Sequence, residues 1–191
     1  MPDKLFEDRR AALEEAFFAR HNQELLNRLR AQDQQATEEG ALAAASGITD
    51  PAVLKQLLGL GIGAASVAAL ALAPLVLVAW ADGAMSKEEQ AAILSAAHKR
   101  GVQPGGPGHA LLEHWLAEAP PPALAQAWKA YIQALAAAMP EAERQALREA
   151  VLGQAEQVAD AAGGFLGLGL GNRVSAAERA VLHDLAAAFG A

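Results

Sequence analysis

The chain of 191 residues has no cysteine, few aromatic side chains (5 per cent) and, between residues 41 and 81, only two charged residues, Asp50 and Lys55. Each shortage excludes something. Without cysteine there are no disulfides, no thiolate metal ligands and no cysteine nucleophile. That is compatible with a reducing compartment, and the expected location is cytoplasmic. The start, Met-Pro-Asp-Lys-Leu-Phe-Glu-Asp, lacks the apolar stretch of a secretory signal. The net charge is −7 and no cluster of Lys and Arg stands out. A nucleic-acid partner, which needs a positive footprint, is therefore not expected. What is present is apolar and small: 53 per cent of residues are hydrophobic, many of them alanine. This suits helices that approach closely through small side chains.

Residues 1–40 differ from the rest. They carry 15 of the 37 charged residues, 9 acidic and 6 basic. Phe18, Leu25 and Leu29 recur at helical spacing, and Phe6, Leu13 and Phe17 form a second, offset stripe. One long, charged amphipathic helix is expected from about residue 4 to residue 38, with Gly40 as its stop signal. The expected division is an arm over residues 1–45 and a helical domain over 46–191. A long helix with a thin apolar stripe is poorly stabilised alone. Residues 1–40 should therefore pack on the domain, on a second copy or on a protein partner.

Leu57 to Ala81 is an uncharged run of 25 residues, long enough to span a bilayer. Its interior argues against a span. Gly59, Gly61 and Gly63 punctuate its start, Pro74 interrupts its second half, and Asp82 rather than a positive flank follows. The expectation is a buried central helix pair, with Leu70, Leu77 and Trp80 inside. A short helix from Pro51 should end at Gly59, and another should begin near Ala64. Further helices are expected over Ser86–Arg100, Pro107–Glu118, Pro122–Met139, Pro140–Ala162 and Ser175–Phe189, separated by Pro- and Gly-rich punctuation. Gly163–Gly171 reads as a connector that brings helices close or touches a membrane surface. No alternating strand is found. The fold class is all-α, a pseudo-symmetric bundle of about seven to nine helices with a long N-terminal helix.

The pseudo-symmetry rests on a repeat. Asp82-Gly83-Ala84-Met85-Ser86-Lys87-Glu88-Glu89-Gln90 continues through Ile93 and Leu94 to Gly101. Gly171-Asn172-Arg173-Val174-Ser175-Ala176-Ala177-Glu178-Arg179, 89 residues later, continues through Leu182 to Gly190. One supersecondary unit used twice is the simplest reading. Ser86/Glu89 and Ser175/Glu178 each fit a capping box, in which the serine hydroxyl and the glutamate satisfy the first amides of a helix. The first copy has an added acid. Asp82 follows a helix end, where the macrodipole disfavours a carboxylate. Two readings stay open: Asp82 closes an Asx turn with Gly83, or it shares a cation with Glu88 and Glu89. Oxygen ligands alone would favour Ca²⁺ or Mg²⁺.

Ala81-Asp82-Gly83-Ala84-Met85-Ser86-Lys87-Glu88-Glu89, flanked by apolar helices, resembles the signature of the TerB-like family, named after a tellurite-resistance protein. The resemblance implies a helical fold in two related halves and Asp82 and Glu89 as motif carboxylates. It also implies a stress-associated, non-enzymatic role linked to metal ions. Glu178 matches the motif glutamate of the second half, whereas Gly171 replaces its aspartate. In the arm, Phe6-Glu7-Asp8-Arg9, Ala12, Glu14 and Phe17, with His21, Glu24 and Leu25 beyond, resemble the start of the zeta-type inhibitor of bacterial ATP synthase. That likeness implies regulatory binding of a protein complex through the arm. Against both stands a hydrolase with dispersed catalytic residues, although no Ser/His/Asp set is recognisable locally. His109 and Glu113 share a helix face beside His114, without the His-Glu-x-x-His of a metal helix.

Overall fold

The computed structural model describes residues 2–163 and 174–190, with side chains for 23–160 and 174–190. Among these the chain is entirely helical. Eight α-helices follow in order: α1 (Pro2–Ser46), α2 (Pro51–Gly59), α3 (Ala73–Ala79), α4 (Lys87–Lys99), α5 (Pro107–Ala117), α6 (Ala123–Ala137), α7 (Glu141–Gly163) and α8 (Ala176–Ala186). Short 3₁₀ helices cover Val67–Leu72 and Ala187–Phe189. The chain divides into two compact units, Met1–Gly40 and Ala41–Ala191. The side chains of the arm stripe from Phe6 to Phe18 lie outside the described residues, as does the expected connector from residue 164 onwards.

Helix ends follow glycine chemistry, though not always at the expected glycine. Gly40 does not stop α1. The helix runs on to Ser46, and Gly47 ends it in the left-handed conformation (φ +73°), donating its N–H to the Ala43 carbonyl at 2.9 Å. A glycine inside a helix costs about 1 kcal/mol relative to alanine. In the Ala41–Ala191 unit the extra turns bury Leu42 completely and pack Ala43 on the core, which offsets that cost. Gly59 is the last residue of α2, as expected. Gly61 (φ +74°) closes it, with Ile62 donating to the Leu57 carbonyl and Gly61 to that of Leu58. Ile62 and Leu57 are both fully buried, the hydrophobic contact that accompanies this motif.

The apolar run is folded within the unit rather than extended as one helix. No helix among the described residues is long and apolar enough to cross a membrane. Where a helix was expected from Ala64, the chain makes turns and then the 3₁₀ helix Val67–Leu72. Ser66 is the local reason: its buried hydroxyl oxygen accepts from the Gly63 N–H at 3.0 Å, holding a turn where a helix would begin. Pro74 then opens α3 at its first turn, where a missing N–H costs nothing. The seven-residue α3 is buried on nearly every side because α4, α6, α7 and α8 all pack against it. An uncharged sequence is what such a central position demands. Leu70 is fully buried as expected, whereas Leu77 and Trp80 are half-buried at the edge of the core. The Trp80 indole N–H donates to the Trp115 carbonyl at 2.8 Å. Trp128 is buried edge-on to Phe189, with ring centroids 6.0 Å apart.

Candidate functional site: the two capped helix starts

The Asp82 loop is built by the end of the apolar run. Gly83 (φ +88°) donates to the Trp80 carbonyl at 3.0 Å and turns the chain out of α3. Asp82 is exposed, and its Oδ1 accepts the Ala84 N–H at 3.1 Å. This is the Asx turn, one of the two readings open to the sequence. Ser86 follows in extended conformation and caps α4. Its Oγ accepts the Glu89 N–H at 3.1 Å, and Glu89 Oε2 accepts both the Ser86 N–H at 2.7 Å and the Ser86 hydroxyl at 2.8 Å. Two helix-start amides and the serine hydroxyl are satisfied inside one turn.

The second copy repeats the arrangement. Ser175 caps α8, its Oγ accepting the Glu178 N–H at 3.1 Å, and the Glu178 carboxylate accepts the Ser175 N–H. Burial matches as well: Glu89 is 3 % exposed and Glu178 6 %. Ile93 and Leu182 face the core, while Leu94 and His183 point outward. Each copy ends on a left-handed glycine, Gly101 (φ +77°) and Gly190 (φ +85°). Both α4 and α8 pack against α3 and α7. The stretch Gly171–Arg173, which aligns with the Asp82 loop, lies outside the described residues.

The two caps are also electrostatic neighbours. Burial pushes the Glu89 carboxyl above its ordinary value of 4.5, and the negative charges of Glu178 and Asp82 push it further. The hydrogen bonds from Ser86 oppose the rise. Three acids thus share one region of the fold, two of them buried. This nearness was not readable from either motif alone. It follows from packing both repeat helices on α3 and α7, and only the repeat spacing hints at it.

The candidate cation ligands are distributed differently. Glu88 is exposed on the first turn of α4, Asp82 is held by its Asx turn, and Glu89 is turned inward to its cap. Hard divalent cations take six or more oxygens. Among the described residues no group of three or more His, Asp or Glu is placed to hold a metal ion. As arranged, Asp82 serves the turn and Glu89 the cap, while Glu88 faces solvent. His109 and Glu113 do meet, with Nδ1 to Oε2 at 3.3 Å, while His114 is exposed.

One further feature concerns apolar exposure. Among the described residues the exposed large hydrophobic side chains are Leu25 (51 %), Leu26 (47 %), Leu29 (48 %) and Leu94. Three of the four lie on one turn of α1. Around them the helix is polar, held by side-chain pairs four residues apart such as Gln23–Asn27 and Gln35–Glu39. No family model, curated protein or solved structure matches this chain.

Proposed function

We propose that the protein is a non-enzymatic, TerB-like interaction module, in which the N-terminal helix is the docking element for a protein partner. The observation that carries this reading is the cluster Leu25, Leu26 and Leu29, half exposed on a charged helix. Water-facing leucines at i, i+1 and i+4 of one helix are the pattern of an amphipathic helix that docks in a groove or on another helix. The acidic and basic residues around them would set partner and register rather than affinity. Regulation of a larger complex through this helix is the specific form that the arm's likeness to ATP synthase inhibitors suggests. The stress-associated role rests on the likeness of Ala81–Glu89 to the TerB signature. The two capped helix starts support a structural part for that signature, since Asp82 closes a turn and Glu89 and Glu178 close caps.

Deletion of residues 1–40 tests the proposal. Tagged full-length and shortened chains are expressed in the native organism, cross-linked and purified. A protein recovered stoichiometrically with the full chain and lost with the shortened one is the expected result. The same protein recovered with both would place docking on the Ala41–Ala191 unit instead.

A further inference from the structure

A cavity of about 250 Å³ opens between α3, α4 and α7. Its floor is apolar, formed by Leu75, Ala96 and Val158. Its rim is polar, formed by Ser95 and Lys99 of α4 and by Gln154 and Gln157 of α7. No carboxylate lines it, although the chain carries a net charge of −7. Among the described residues Lys99 has no acidic partner.

Arg100 orients one residue of this rim, Gln154. Its Nη1 donates to the Ala71 carbonyl at 2.7 Å, which anchors the guanidinium against the 3₁₀ helix. Its Nη2 donates to Gln154. A guanidinium only donates, so the Gln154 atom facing it is the amide oxygen. The Gln154 NH₂ is therefore the end left to meet a ligand. A positive ammonium, an amide donor and the Ser95 hydroxyl then stand over an apolar floor. Polar groups that converge over an apolar floor can fix the orientation of a small ligand.

We propose that this cavity binds a small monocarboxylate with a short aliphatic body. The carboxylate takes Lys99, Ser95 and the Gln154 NH₂, and the body covers Leu75, Ala96 and Val158. A cation finds no counter-charge there. A bare phosphate leaves the floor wet, and a long acyl chain exceeds the volume. Arg100 is a positioning residue, acting through Gln154.

The test is calorimetric titration of the full chain with sodium hexanoate, hexanol, hexylammonium chloride and inorganic phosphate. Hexanoate is expected to bind, hexanol at least about tenfold more weakly, and hexylammonium and phosphate not at all. Lys99→Gln is exposed and should fold as the wild type does, with hexanoate affinity reduced about tenfold. Gln154→Leu keeps the volume and removes the amide donor. It should weaken hexanoate while leaving hexanol unchanged or tighter. The inference is overturned if hexanoate gives no saturable heat up to about 10 mM. It is equally overturned if phosphate binds as well as hexanoate, or if Lys99→Gln binds hexanoate like the wild type.

Discussion

Leucines in two parts of this chain meet opposite fates. Leu57, Leu70, Leu72 and Leu75 are fully buried, whereas Leu25, Leu26 and Leu29 are about half exposed. The residue type is the same and the local structure is helical in both. What differs is the surroundings. The buried set lies in a segment with no charge from residue 57 to 81, and nearly every face of α3 meets another helix. The exposed set lies in a helix where charges are interspersed with the leucines, as in Glu24, Arg28 and Arg30. Apolar content alone therefore does not say which segment is core. The charge-free interval does, because a buried helix has no solvent face on which to place a charge.

The widest difference should appear on truncation. Leu70→Ala, at a fully buried position, is expected to cost about 2–5 kcal/mol through lost transfer energy and a cavity. Leu29→Ala should stay within about 0.5 kcal/mol of wild type. Chemical denaturation of both variants decides this, and equal losses would erase the contrast.

A smaller effect is expected at the caps. Glu89→Ala removes an acceptor from the Ser86 N–H and should cost about 1–2 kcal/mol, with Glu178→Ala similar. Glu89→Gln keeps the cap geometry and removes the charge. Here pH gives the sign. The folded Glu89 carboxyl holds its proton to higher pH than the unfolded one, so its ionisation costs stability. The cost is absent below the ordinary value of 4.5 and grows as pH rises through the window above it. Glu89→Gln should therefore gain on the wild type between about pH 4.5 and neutrality, and the two should converge in acid. Melting curves across that range test it, and a gap that widens in acid would reverse the assignment.

The smallest effect belongs to Asp82. Asp82→Asn keeps the side-chain oxygen that accepts the Ala84 N–H and should melt within error of wild type. Asp82→Ala should lose about 0.5–1 kcal/mol. If Asn were as harmful as Ala, the charge rather than the turn would be what the position requires.

Much of this was legible in the sequence, for identifiable reasons. Ser86, Ser175, Pro51 and Pro107 mark helix starts by local chemistry, and the structure places starts there. Gly101 marks an end for the same reason. Gly59 is the last residue of α2, as expected, whereas Gly40 misled, because a glycine ends a helix only when the chain needs a positive φ at that point. Gly47 meets that need instead. The turn before the Val67–Leu72 3₁₀ helix was hidden because it depends on a bond from the Gly63 amide to the buried Ser66 hydroxyl. At the candidate site, both capping boxes were readable from four residues each. The shared field of Glu89, Glu178 and Asp82 was not, since it arises only when helices 89 residues apart in sequence pack on common neighbours.

The central claim is that the Ala41–Ala191 unit carries the fold and the arm leucines carry association. Its most direct test is a chain with Leu25→Ser, Leu26→Ser and Leu29→Ser together, compared with wild type by cross-linked capture at matched melting temperature. The account predicts an unchanged melting temperature and loss of the captured partner, whether another protein or a second copy. An unchanged set of captured proteins, or a variant that no longer folds, would contradict it.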